Sequence, residues 1–230
     1  MPLYLKQMEV GPMGNFVYLI GDAQTREVAL VDPAWQIDTI AKIIQTEELK
    51  LTAALVTHCH FDHCNGIEEL LNRWDVPIYV HKKEIEFTQK LRHANQLFSG
   101  FPKKETRGVD SGDKLSVGGI EITFLHTPGH TPGSQCFLVE DKLVSGDTLF
   151  IRGCGRTDLP GGDPEAMYNS LTQKLMKLPE DTLLLPGHNY SDNASSPLII
   201  EKKENPYLIC DNLDTFLGLV GRPKNREKIL

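Results

Sequence analysis

The sequence predicts an α+β fold with helices and strands in mixed layers, and three observations carry this. Each half has a run of apolar strand segments ending in a histidine-bearing loop. Segments with helical spacing are interspersed among them, without the regular alternation of a doubly wound sheet. No repeat, linker or low-complexity stretch divides the chain, so residues 1–230 read as a single domain.

In chain order, Tyr4 to Val10, Phe16 to Ile20 and Val28 to Val31 read as strands of an opening meander, separated by the turn signals Gly11-Pro12 and Gly21-Asp22. Residues 36–48 place Ile37, Ile40, Ile43 and Ile44 on one helical face. Ala53 to Val56 is a buried strand that ends at the polar cluster Thr57 to Asn65, which puts chemistry at the end of a strand. Gly66 to Trp74 and Glu84 to Leu97 read as helices flanking a short strand, Pro77 to Val80, and the Gly-, Pro- and charge-rich run Phe98 to Asp110 reads as a loop. Ile120 to Leu125, Gln135 to Val139 and Lys142 to Ser145 are further strands, the last two turning at Glu140-Asp141. Asp163 and Pro164 supply the cap and first position of a helix running to Leu175. Thr182 to Leu185 is a last buried strand, stopping at Pro186-Gly187-His188.

Composition narrows the function classes. Hydrophobic residues at 40% and charged residues at 24% are ordinary globular usage, which excludes a disordered or fibrous class. A net charge of −7 with scattered basic residues argues against a nucleic-acid partner, because neutralising phosphates needs a clustered basic patch. No stretch approaches the roughly 18 apolar residues that cross a bilayer, and MPLYLKQMEV lacks the features of a signal peptide. The expectation is a cytoplasmic protein with no membrane partner. Five dispersed cysteines, Cys59, Cys64, Cys136, Cys154 and Cys210, are expected to be reduced thiols.

The strongest signal is Thr57-His58-Cys59-His60-Phe61-Asp62-His63, with four metal-competent side chains in six positions. Extended backbone puts His58 and His60 on one side, and the turn that follows can redirect Asp62 and His63 toward a second point. Three more loops supply ligand types beside strands: Gly129-His130, Gly146-Asp147 and Gly187-His188, each with a glycine that allows a tight turn or close approach. A structural zinc site closes with four ligands, mostly cysteine, and seven non-cysteine candidates exceed that need. Cys59 alternates with the histidines and should point away from them, into the core. Asp32, in Leu30-Val31-Asp32-Pro33, either supports the ligands or caps the next helix. His81, His93 and His126 match no ligand position and are assigned core or surface roles.

These motifs, in this order, strongly resemble the metallo-β-lactamase superfamily over nearly the whole chain. The resemblance implies a four-layer αβ/βα sandwich. It also implies two divalent metal ions, zinc first, with one or two irons as the alternative. By the family pattern His58, His60 and His130 hold one metal, Asp62, His63 and His188 the other, and Asp147 bridges them. Catalysis would use a metal-bridging hydroxide that Asp62 orients.

Within that family Ser145 to Arg156, with Gly153-Cys154-Gly155-Arg156, is similar to hydroxyacylglutathione hydrolases (glyoxalase II) and to persulfide dioxygenases. The glyoxalase II pattern puts Arg156 on a glutathione carboxylate and Tyr190 on the same ligand. It departs after Arg156, where Thr157-Asp158-Leu159 replace the family's tyrosine, and Asp158 offers Arg156 a salt-bridge partner instead. The implied activity is hydrolysis of a thioester of glutathione, coenzyme A or a carrier arm. The alternative is a mononuclear iron persulfide dioxygenase using His58, His130 and Asp147. Nucleic-acid processing and antibiotic hydrolysis are disfavoured by charge and by Asp62. Assembly as a homo-oligomer is left open by every pattern in the chain.

Overall fold

The computed structural model describes residues 2–91 and 100–221. Its first sheet takes six strands in sequence order: β1 (Leu3–Val10), β2 (Asn15–Asp22), β3 (Glu27–Val31), β4 (Lys50–Leu55), β5 (Ile78–His81) and β6 (Thr106–Val109). The second contains β7 (Lys114–Val117), β8 (Ile120–His126), β9 (Gln135–Val139), β10 (Lys142–Gly146), β13 (Leu183–Pro186) and β14 (Ser196–Pro197), ordered β14-β13-β10-β9-β8-β7. A small hairpin, β11 (Leu149–Phe150) with β12 (Gly153–Cys154), follows β10. Both large sheets are mixed. β3 to β6 run parallel, as do β10 and β13, and the remaining pairs are antiparallel.

Alternation along the strands explains the layering. Val17 and Leu19 of β2 point to one side, while Phe16, Tyr18 and Ile20 point to the other. The first side packs under helices α1 (Ile37–Thr46) and α3 (Ile67–Leu71), through Ile37, Ile40, Ile44, Ile67 and Leu70. The second meets Ile122, Phe124, Phe137 and Val144 of the other sheet. The outer face of that sheet, Cys136, Leu143 and Leu184, is covered by α5 (Pro164–Gln173), α6 (Leu198–Glu204) and α7 (Leu213–Val220) through Met167, Leu171, Leu198 and Phe216. The order helix, sheet, sheet, helix is the four-layer sandwich expected from the sequence. Asp163 caps α5 by accepting from the Glu165 and Ala166 amides at 3.0 and 3.1 Å. Among the described residues no helix is long and apolar enough to cross a membrane.

Several local expectations are corrected. Residues 106–109 form the edge strand β6 and not loop, because their backbone pairs with β5 although the side chains of Thr106, Arg107 and Gly108 carry no apolar run. β7 is an additional strand, and it pairs with β8 across the Gly118-Gly119 turn. A one-turn helix, α2 (Phe61–Cys64), stands where the metal motif turns. The helix after β5 begins earlier than expected, as α4 (Lys82–Leu91), and the rest of the expected Glu84 to Leu97 stretch, with His93, lies outside the described residues.

His81 and His126 end β5 and β8 and stack across the gap between the sheets, rings 3.8 Å apart and 9° from parallel. Burial and the neighbouring His126 push His81 down to about 4, and burial lowers His126 as well. The unfolded chain, with an imidazole value near 6.5, binds protons before the folded one. The pair therefore costs no stability above about pH 6.5, and stability falls as pH drops from there toward 4. In metal-free protein His81→Phe keeps the stack and should show a smaller fall in Tm between pH 7 and 4.5 than the parent. An equal fall in both would remove the pair from the acid response.

Candidate metal centre

Four loops converge at one end of the sandwich, each leaving the C-terminal end of a strand: 57–63 after β4, 127–133 after β8, Asp147 after β10 and His188 after β13. The two sheets are stitched together at this point. The Phe16 amide donates to the Gly187 carbonyl at 2.8 Å and the Asn189 amide to that of Gly14 at 2.7 Å. Two glycines set the approach. Gly146 has φ of 49°, and a Cβ there would meet Thr57 Cβ at 2.6 Å. A Cβ on Gly187 would lie 2.4 Å from Asp147 Oδ1.

The structure brings together all seven residues singled out as ligands. His58, His60 and His130 form one group, Asp62, His63 and His188 a second, and His58, His63 and Asp147 a third that links them, with candidate ligand atoms within 4.8 Å of one another in each. His60 Nδ1 lies 2.9 Å from His130 Nε2, and His63 Nε2 lies 3.1 Å from His188 Nε2. Asp147 sits between, with Oδ1 3.4 Å from His63 Nε2 and Oδ2 3.4 and 3.5 Å from His188 and His130 Nε2.

Hydrogen bonding fixes which ring nitrogens face inward. His63 Nδ1–H donates to Asp32 Oδ2 at 2.9 Å, His130 Nδ1–H to the Arg156 carbonyl at 2.7 Å and His188 Nδ1–H to the Met13 carbonyl at 3.1 Å. Thr57 gives its hydroxyl proton to Asp32 Oδ2 at 2.7 Å, so its oxygen accepts from His58 Nδ1 at 3.0 Å. Each of these four rings thus turns an Nε2 lone pair into the pocket, the usual arrangement of an oriented metal-binding imidazole. His58 Nε2 and Asp147 Oδ1 are buried there without a hydrogen-bond partner. Five imidazoles and two carboxylates, with no thiol among the three groups, fit zinc or iron.

The two groups differ electrostatically. Burial and the charge of His63 hold His58 well below its usual value, and burial with His130 pushes His60 down to about 3. Burial also opposes charge on His63 and His188, but Asp147 and Asp62 overcome it on both, with Asp32 adding to the effect on His63, so His63 is raised and His188 is brought up to about 9. Burial pushes Asp62 and Asp147 up, and the histidines outweigh it to hold both well below the carboxylate range. The second group therefore already attracts positive charge, which a cation would provide in place of protons.

Asp32 supports the ligands and does not cap α1, whose N-terminus has no side-chain cap. Its carboxylate also accepts the Thr57 amide at 2.7 Å. Asn15 is a supporting residue that the sequence did not point to. Trp35 Nε1–H donates to its Oδ1 at 3.1 Å, which orients the amide so that Nδ2 donates to Asp62 Oδ2 at 2.8 Å. Its one signal was an asparagine opening an otherwise apolar strand. Arg156 is exposed and forks onto Asp158 at 2.9 and 2.8 Å. Tyr190 is 61% exposed and its ring stacks on His188 at 4.6 Å. Cys59 is fully buried in the core, and all five cysteines are free.

Residues 10–188 match the family model described as "Metallo-beta-lactamase superfamily". The chain is 35% identical over 213 residues to "Probable metallo-hydrolase YqgX" of Bacillus subtilis, covering 88% of this chain and 96% of that protein. It is 30% identical to "Probable polyketide biosynthesis zinc-dependent hydrolase BaeB" of Bacillus velezensis, covering 93% and 89%. It is 31% identical to human "Persulfide dioxygenase ETHE1, mitochondrial", covering 98% and 85%. Among solved structures, TTHA1623 in a di-iron-bound form superimposes with a TM-score of 0.74 at 31% identity, covering 88% of this chain and 100% of that one.

Proposed function

The chain belongs to the metallo-β-lactamase superfamily, and on that premise we propose that it is a two-metal hydrolase of thioesters formed by small thiols. The observation that carries this reading is the completeness of the second group. Asp62, His63 and His188 converge as closely as His58, His60 and His130, with the Nδ1 protons of His63 and His188 committed outward. A second cation there would give those three side chains a shared ligand.

Divalent cations bound there supply a water acidified to a pKa of about 7 and a Lewis acid for the acyl oxygen. Asp62, fixed from behind by Asn15, presents its carboxylate to orient the attacking water. Water adds to the acyl carbon, the C–S bond breaks, and the products are a carboxylic acid and a thiol. Tyr190 stacks beside His188 at the edge of an open cleft of about 610 Å³ shared with Ile151 and Arg152, which gives the thiol portion a place to lie. Partial burial of its ring, with the charges of Asp147 and Asp62 nearby, raises its phenol to about 12, so it remains a hydrogen-bond donor at neutral pH. Arg156 is available to a substrate carboxylate, because an exposed pair such as Arg156–Asp158 contributes at most about 1 kcal/mol and is readily exchanged.

The identity to a persulfide dioxygenase supports a second reading. Metal analysis of protein purified without added metal, combined with two assays, separates them. Two zinc ions per chain and turnover of S-lactoylglutathione or an acyl-coenzyme A support the hydrolase. One iron with oxygen uptake on glutathione persulfide replaces it with the dioxygenase.

A further inference from the structure

We propose that Glu84, outside both ligand groups, is the positioning residue that clamps the two loops carrying His58, His60 and His130. This rests on those residues holding a metal and is independent of the substrate. Glu84 lies in the first turn of α4 and is completely buried. Its Oε1 accepts the Cys59 amide at 2.7 Å, the peptide between His58 and His60. Its Oε2 accepts the Thr131 hydroxyl at 2.9 Å and the Gly133 amide at 2.8 Å, just beyond His130. One carboxylate thus joins the segments of His60 and His130, 70 positions apart in sequence, and between them they carry the whole first group.

The chemistry matches the task. Three donors aimed at one buried carboxylate make charge-assisted bonds, stronger and geometrically tighter than neutral ones. Gly133 completes the clamp, since a Cβ there would lie 2.3 Å from the Glu84 amide nitrogen. The second group, Asp62, His63 and His188, is backed differently, by Asp32, Asn15 and the Met13 carbonyl.

Glu84→Gln keeps the shape but offers an NH2 where an acceptor is needed, so at least one loop is released whichever way the amide turns. Thr131→Val removes one of the three donors to Glu84, along with the Thr131 hydroxyl contact to Ser134 Oγ at 2.7 Å, and is the milder variant. Each metal-free protein is titrated with Co(II) and followed by its absorption spectrum, with Tm measured beside it. The parent should bind two equivalents. Glu84→Gln should weaken one equivalent by roughly 10- to 100-fold and leave the other at parental affinity, as supporting partners of metal ligands do elsewhere. Thr131→Val should weaken the same equivalent by less. Two equivalents at parental affinity in both variants overturn the clamp, and so does equal weakening of both equivalents, which marks a general structural defect. A parent that binds no metal overturns the metal reading itself, a distinct result.

Discussion

Asp147→Ala is expected to lose turnover and bound metal together. The Asp147 side chain lies within 3.5 Å of imidazoles from both groups, His130 on one side and His63 and His188 on the other. Burial works against its charge, yet His63, His188 and His58 hold it ionised far below the usual range, so a methyl group in its place removes an anion that lies between the two ligand groups. Loss of several kcal/mol of transition-state stabilisation corresponds to a rate reduction on the order of 10³-fold or more. Elemental analysis and turnover should therefore fall in parallel. Full turnover with two metals retained in Asp147→Ala would remove it from the bridging role.

How much of the site is legible in the chain depends on distance along it. His58, His60, Asp62 and His63 were legible because four metal-competent side chains crowd into six positions, far more than a helix cap or a strand end requires. His130, Asp147 and His188 were legible through the glycine before each and the strand before that. Asp32 was visible but ambiguous. Its partners Thr57 and His63 stand 25 and 31 positions away, and only the fold reveals that they converge on it. Asn15 and Glu84 carried almost no local signal, since an amide at a strand end and a glutamate opening a helix are common surface choices. Mixed helix and strand layers were readable from the strand runs and helical spacing, the four-layer order came from the family resemblance, and two strands not foreseen lie at sheet edges. β6, Thr106–Val109, is held by backbone pairing with little apolar side chain to reveal it. β7 does carry a signal, because Gly118-Gly119 ahead of an apolar strand is a hairpin signature.

The second large effect is predicted at Asp32, and it separates ligand orientation from ligand identity. Asp32 is buried, adopts φ of 52° and accepts three donors: the Thr57 amide, the Thr57 hydroxyl and His63 Nδ1–H. Asp32→Ala strands these donors at about 1–3 kcal/mol each, and should lower Tm even in metal-free protein. Asp32→Asn isolates the chemistry with almost no change in volume. If its oxygen remains on the Thr57 amide, its NH2 faces His63 Nδ1 and donates to it. The ring proton is then driven to Nε2, the nitrogen that lies 3.1 Å from His188 Nε2 in the second group. A ring protonated at Nε2 has no lone pair there for a cation, so Asp32→Asn should weaken the Asp62, His63 and His188 equivalent by roughly 10- to 100-fold. The same NH2 takes the acceptor from the Thr57 hydroxyl, through which His58 Nδ1 is held, so the other equivalent should weaken as well, at one remove and by less. Glu84→Gln, by contrast, is expected to touch the first group alone. Two equivalents of unchanged affinity in Asp32→Asn would mean that the Asp32 contact does not decide which nitrogen of His63 faces the pocket.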